Sequence, residues 1–267
     1  MTAVVVPVLP SVAVLEPVGL AELVARASLQ TRVDRKYVLP LAAAEDLVTG
    51  LARTEDLRVL EIGGLRTFGY ESLYFDTAEL TGYLLAARGR RRRFKVRRRS
   101  YLDTGTSFLE VKTRGLRGTT VKERISDTGD LAAGACFVDD VLDRAGLGAV
   151  RSRDLRPTLR TAYRRTTLHL PATDVRVTVD TDLTWALPGG PAAALDGVAL
   201  VETKSSSAPS AADRRLWRSG HRPSRISKYG TGLAALQGDL PDNRWCPVLR
   251  RHFSLLTPCT SDERTLP

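Results

Sequence analysis

Cysteine, histidine and aromatic side chains are all scarce in this chain, and each shortage removes a class of function. The three cysteines, Cys136, Cys246 and Cys259, are far apart and odd in number. They form no CxxC motif, and His169, His221 and His252 are isolated, so neither a disulfide framework nor a structural zinc site is expected. A reduced, cytoplasmic setting is the simpler expectation. Aromatics make up only 6% of residues, whereas a β-surface that binds nucleic acid interleaves exposed aromatics with basic residues. Nucleic acid is therefore not an expected partner. No apolar run is long enough to span a bilayer, because the apolar start at residues 2–15 is broken by Pro7 and Pro10 and has no basic n-region.

Acidic residues are the remaining deficit. Forty Lys and Arg face thirty Asp and Glu, for a net charge of +10. Such a balance calls for an anionic partner: nucleic acid, acidic lipid or a small polyanion. The 267 residues, 43% of them hydrophobic, suffice for the core of one large domain.

What is present is a repeated pattern. A carboxylate, one spacer and a lysine occur together in Asp34-Arg35-Lys36, Glu110-Val111-Lys112 and Glu202-Thr203-Lys204. On a β-strand, residues i and i+2 project from the same face, so each repeat sets an acid beside a base. Strand-like segments between them carry paired bases at the same spacing, Arg97 with Arg99 and Lys122 with Arg124. Alternation predicts that Lys95, Arg97, Arg99 and Tyr101 share one face, opposite Phe94 and Val96. Likewise Arg176, Thr178 and Asp180 oppose Val175, Val177 and Val179, and Leu200, Glu202 and Lys204 oppose Ala199, Val201 and Thr203. A half-solvated sheet would account for any one of these strands. Across the set the polar faces are nearly all Arg or Lys, with a sparse minority of carboxylates, which favours a closed barrel with its charged faces turned inward.

Periodicity predicts strands at residues 32–39, 67–75, 92–101, 107–113, 119–126, 157–167, 175–181 and 198–204, with a weaker one at 184–187. Helices are predicted at 19–28, 41–51, 79–87, 137–145, 210–218 and 226–236. The block Arg88 and Arg90 to Arg93 reads as a solvated charge run with no catalytic part. The expected organisation is an arm at 1–18 that is flexible or packs, a main domain at 19–238 and an irregular tail at 239–267. The fold class is α+β, mainly β: an eight-stranded antiparallel tunnel barrel with flanking helices.

Nine stretches, in order, resemble one family. They are VDRKYVL (33–39), LYFDT (73–77), FKVRRRSY (94–101), FLEVKTR (108–114), VKERI (121–125), RPTLRTAYRRTTL (156–168), VRVTVDTDL (175–183), LVETKS (200–205) and SKYGTG (227–232). Together they resemble the VTC domain, the polyphosphate polymerase domain within the triphosphate tunnel metalloenzyme, or CYTH-like, superfamily. The resemblance implies phosphoryl transfer from ATP to a growing inorganic polyphosphate chain. It implies that Lys36, Arg97, Arg99, Lys112, Lys122, Arg124, Arg165 and Arg176 grip phosphates, with Tyr101 making a phosphate or nucleotide contact. Lys204, beside Glu202, joins the phosphate-binding set. Lys228 matches the family lysine near the transferred phosphoryl group and, with Arg97 and Arg99, forms the catalytic set. Glu202 is the implied principal ligand of Mn²⁺ or Mg²⁺, helped by Glu110 and Asp180. Asp34 stands where the superfamily usually has Glu, which shortens its reach.

Other readings of the same residues remain. Glu110 and Glu202 could serve only as salt-bridge partners of neighbouring lysines. If water is the acceptor, the chain is a triphosphatase; if there is no turnover, it is a polyanion-binding domain. The expected partners are ATP and inorganic polyphosphate. No SPX domain or membrane helix is seen beside the domain, so translocation would fall to a membrane-protein partner.

Overall fold

The computed structural model describes residues 9–27, 33–114, 120–206, 208–253 and 256–259. The predicted element ends at residues 28, 32 and 119, and the outer parts of the expected arm and tail, lie outside these. Twelve strands run in chain order: β1 (Glu16–Val18), β2 (Val33–Pro40), β3 (Arg58–Leu60), β4 (Thr67–Asp76), β5 (Phe94–Tyr101) and β6 (Thr106–Arg114), then β7 (Thr120–Ser126), β8 (Arg156–Leu170), β9 (Val175–Ala186), β10 (Ala192–Leu195), β11 (Val198–Ser205) and β12 (Leu256–Cys259). The α-helices are α1 (Leu20–Ala27), α2 (Leu41–Ala52), α3 (Thr81–Ala87), α4 (Ala135–Arg144), α5 (Ala211–Arg218), α6 (Lys228–Leu236) and α7 (Cys246–His252). The fold class is α+β, mainly β, and the sheet is mostly antiparallel, with β1 and β3 pairing in parallel. Among the described residues no helix is long and apolar enough to cross a membrane.

The eight long strands are those that periodicity predicts. The weak segment at 184–187 is the far end of β9, which runs without a break to Ala186. The four short strands, β1, β3, β10 and β12, exist by pairing and carry too few residues to show alternation. Where an irregular tail is expected, α7 starts at Cys246 and β12 pairs with β10. In the arm, residues 10–14 form a 3₁₀ turn with Val12 buried, and β1 pairs with β3.

The chain divides into two compact units. The first takes Met1–Phe68, Tyr163–Leu183 and Asp196–Ser224; the second takes Gly69–Ala162, Thr184–Leu195 and Arg225–Pro267. In the first unit β11 lies between β2 and β9. Alternation buries Tyr37 and Leu39 of β2, Ala199 and Val201 of β11, and Val175, Val177 and Val179 of β9 on one face. Helix α2 presents Leu47, Val48 and Leu51 to the same core at helical spacing. Burying each such side chain contributes roughly 2 kcal/mol.

One carboxylate joins the back of this sheet to α5. Asp213 accepts hydrogen bonds from Tyr37 Oη and Thr203 Oγ1, both at 2.7 Å, and from the backbone N–H and hydroxyl of Ser210. Ser210 in turn accepts from the Asp213 N–H, closing a capping box at the helix start. Arg35 Nη1 stands 3.5 Å from the same carboxylate. These bonds hold Asp213 ionised against the opposing effect of burial, while burial first, and then the Asp213 carboxylate, raise the Tyr37 phenol well above its usual range.

The second unit is built on the antiparallel meander β4-β5-β6-β7. Phe94 and Val96 of β5 and Leu109 and Val111 of β6 are buried on one face, against Val138, Val141 and Leu142 of α4. Asp76, at the end of β4, explains the LYFDT stretch. Its carboxylate accepts from the N–H groups of Gly82 and Tyr83 in the first turn of α3, each at 2.8 Å, and from Tyr229 Oη of α6 at 2.5 Å. Two glycines let α6 pack closely. A Cβ at Gly230 would fall 2.3 Å from the Trp245 ring, and one at Gly232 would fall 2.0 Å from Trp185.

Candidate functional site

The opposite faces of these two sets of strands carry the charged residues singled out above. In the first unit the register sets Glu202 between Lys36 and Thr178, and Lys204 between Asp34 and Arg176. Asp180 stands one step along, beside Leu200. Glu202 Oε1 lies 3.1 Å from Lys204 Nζ, and its Oε2 lies 3.7 Å from Lys36 Nζ. Burial alone would raise the Glu202 carboxyl; the charges of Lys36, Lys204 and Arg165 outweigh it and hold the group ionised far below the usual range. Asp180 is gripped bidentately by Arg165, with Nε to Oδ1 at 2.5 Å and Nη2 to Oδ2 at 2.8 Å. The Arg165 guanidinium also lies over the Tyr163 ring, 5.3 Å from its centre. Arg176 Nη2 donates to the carbonyl of Leu23 at 2.7 Å, which ties β9 to α1. This face is close to neutral: Lys36, Lys204, Arg165 and Arg176 stand against Asp34, Glu202 and Asp180.

The second unit presents a different balance. Its meander aligns residues in rows across β5, β6 and β7. Arg97, Glu110 and Arg124 form one row, with Tyr74 of β4 beside Arg97. Lys95, Lys112 and Lys122 form the next, three lysines directly opposite one another. Among the described residues of β5, β6 and β7, seven cations on this face (Arg99 and Arg114 complete the set) meet one carboxylate, Glu110, which is fully buried. Arg97 forks onto Glu110 Oε2 at 2.9 and 2.6 Å, and Lys122 Nζ reaches Oε1 at 3.3 Å. Burial would push Glu110 up, but these charges hold it at about 2. Lys112 is drawn well below the usual lysine range by the charge of Arg97 and by burial, with Glu110 only partly offsetting them. Lys122 is lowered too, chiefly by burial. Strand β7 is exposed along its length, so Lys122 and Arg124 stand at the rim of the face and not deep within it.

Aromatic rings hold the guanidinium groups in place. Arg99 lies over Tyr70 at 4.7 Å and over Tyr101 at 5.8 Å, Arg97 over Tyr74 at 5.9 Å, and Arg124 over Phe108 at 4.4 Å. Tyr101, expected to touch phosphate or nucleotide, is here packed against Tyr70 and Phe108 beneath Arg99. Tyr70, Tyr74 and Phe108 were not singled out in the sequence, because their relation to the arginines depends on register. Lys228 is the first residue of α6, and its carbonyl accepts from Trp185 Nε1 at 2.8 Å. Its neighbour Ser227, the N-cap, accepts from Lys95 Nζ at 2.8 Å, so the start of α6 adjoins the lysine row. Lys95 thereby joins the site; its i, i+2 spacing to Arg97 was the available signal.

Among the described residues no three His, Cys, Asp or Glu side chains converge to form a metal cage. Both oxygens of Asp180 and both of Glu110 are engaged by basic side chains. Glu202 differs, because two long, mobile lysine side chains can yield to a cation more readily than a fixed guanidinium fork. A hard divalent ion that keeps water and takes phosphate oxygens needs only one or two protein carboxylates, and Glu202 fits that need.

A family model for the VTC domain matches residues 31–237. The chain belongs to the VTC domain family. The chain matches no curated protein sequence. Among solved structures this VTC domain is similar to the Hippeastrum protein HpAC1, described as having a dominant triphosphatase activity, at 15% identity over 79% of this chain and 97% of that one, with a TM-score of 0.45. It is also similar to a candidate adenylate cyclase from Bacillus halodurans, at 11% identity over 87% and 95% of the two chains and a TM-score of 0.43. The PH1819 protein of Pyrococcus horikoshii OT3 is 14% identical over 75% and 97%, with a TM-score of 0.42.

Proposed function

We propose that this VTC domain transfers the terminal phosphoryl group of ATP to the end of an inorganic polyphosphate chain. A terminal phosphate oxygen of the chain forms the new P–O bond, the bond to ADP breaks, and ADP leaves with the electron pair. The observation that supports this reading is the surplus of cations on the β5-β6-β7 face, above all the row Lys95, Lys112 and Lys122. Like charges directly opposite one another on a sheet destabilise it. A polyanion lying across them would supply the missing negative charge.

The geometry supports the following roles. Arg99 and Arg97, steadied by tyrosine rings and by Glu110, present fixed donors to phosphate oxygens. Lys112 and Lys122 act as point charges, and Lys228 at the start of α6 stabilises charge that grows as the phosphoryl group moves. In the first unit Lys36, Lys204, Arg165 and Arg176 surround Glu202, which would anchor Mn²⁺ or Mg²⁺; such an ion would supply charge neutralisation to phosphate oxygens. The deciding experiment follows ADP, orthophosphate and acid-stable polyphosphate together when the protein meets ATP and Mn²⁺. ADP with polyphosphate and little orthophosphate is the expected result. Orthophosphate without polymer would replace the reading with a triphosphatase, and tight binding without turnover would leave a polyanion-binding domain.

The lysine row gives a second test. Lys112→Met keeps the volume of the side chain and removes its charge. It should raise unfolding free energy by up to about 1 kcal/mol, the scale of a cross-strand pair. It should also weaken tripolyphosphate binding by roughly tenfold, equivalent to about 1.4 kcal/mol. Calorimetry and urea unfolding on one preparation measure both. A loss of stability with binding intact would make Lys112 a structural residue.

A further inference from the structure

The positive ladder does not end at the lysine row. Alternation carries the same face one step further, to Arg93 just before β5 and to Arg114, which sits opposite Thr120. A cavity of about 140 Å³ opens there, lined by Arg93, Lys95, Lys112 and Arg114, and none of its described lining residues is acidic. Arg244, ahead of α7, adds its charge to that of Arg93, and Arg225, ahead of α6, adds its own to that of Arg244. The positive charge of Arg93 is disfavoured by burial and by Arg114 and Arg244, and that of Arg244 by burial, Arg225 and Arg114. Arg93 donates one hydrogen bond, from Nη1 to the carbonyl of Arg90 at 2.9 Å. Arg244 Nη1 is close enough to the turn after α3 that a Cβ at Gly89 would lie 3.3 Å from it.

We infer that Arg93, Arg114 and Arg244 form a second phosphate-binding subsite, one that engages only chains longer than a triphosphate. The inference rests on the polyphosphate reading of the adjoining face. Along β5 the cations Arg99, Arg97, Lys95 and Arg93 recur every second residue. At about 3.4 Å per residue they are spaced by roughly 7 Å and span about 20 Å. A linear polyanion lying along the strand meets every rung of that ladder, whereas a compact triphosphate covers only part of it. Guanidinium groups suit such a subsite because each can fork onto two phosphate oxygens. The subsite would hold the bound chain during repeated additions and would favour long products over short ones. The charge run expected to be merely solvated thus contributes one member, Arg93, to a built site.

The test compares calorimetric binding of tripolyphosphate and of long-chain polyphosphate to the wild type and to the double variant Arg93→Gln/Arg244→Gln. Long-chain affinity should fall by roughly tenfold or more, with a shallower dependence on salt because fewer cations engage the chain. Tripolyphosphate affinity should be unchanged, which also shows that the variant is folded. An equal loss for both ligands, no loss for either, or a wild type without preference for the longer chain would overturn the subsite. If the wild type makes no polyphosphate from ATP but the selective long-chain loss persists, the transferase reading falls and the subsite stands.

Discussion

Glu202→Gln should lower metal-dependent turnover of ATP by about a hundredfold, the upper end of what loss of a ligand's supporting partner costs. Glutamine keeps the shape and removes the charge. Glu202 is ionised between Lys36 and Lys204, and its side chain retains 15% exposure, so it can exchange a lysine for a cation. The variant should therefore show a raised Mn²⁺ requirement, with part of the lost rate recovered at high metal concentration. Asp180→Asn is the comparison. Arg165 occupies both of its oxygens, so that change should reduce stability without changing the metal dependence. If Glu202→Gln turned over ATP at the wild-type rate with the wild-type metal requirement, Glu202 would be a counter-ion only.

Arg97→Met should produce the largest loss of stability, about 3–5 kcal/mol, because it strands a fully buried carboxylate. Only Lys122, at 3.3 Å and itself partly exposed, would remain on Glu110. Adding Glu110→Gln to the variant should recover much of the loss, since it removes the stranded charge. The same pair sets a pH dependence in the wild type. Glu110 titrates at about 2 in the folded protein, below its ordinary value of 4.5. A depressed carboxyl contributes stability above the unfolded value and loses it as the group protonates. Urea unfolding of the wild type should weaken as pH falls from about 4.5 towards 2, and Glu110→Gln should flatten that part of the profile. A loss below about 1 kcal/mol for Arg97→Met at neutral pH would mean that the ion pair is not what secures Glu110.

The eight long strands were legible because most of them alternate apolar and polar residues and all run for seven or more positions. β1, β3, β10 and β12 were not, since three or four residues give no period and their existence depends on a distant partner. The basic faces were readable strand by strand, but the alignment of Lys95, Lys112 and Lys122 was not. It requires the register of two hairpins, and sequence spacing does not supply that. The same limit hid the rings beneath the arginines. The SKYGTG stretch was readable as a motif, while the reason for its glycines, the approach of Trp245 and Trp185, lies in packing between distant segments. Arg93 sits in a run of arginines, and only the meander distinguishes it from its neighbours.

The bonds that Asp213 makes behind the first sheet have a consequence for the face in front of it. Tyr37 directly follows Lys36, and Thr203 directly follows Glu202. A slip of one residue in either strand would turn that strand over, sending its charged groups into the core. It would also carry Tyr37 or Thr203 away from the one carboxylate that binds both. Asp213 thus acts as a counting device: by accepting from one residue on each strand it admits a single alignment of β2 with β11. The juxtaposition of Lys36 and Glu202 on the far side is the printout of that count.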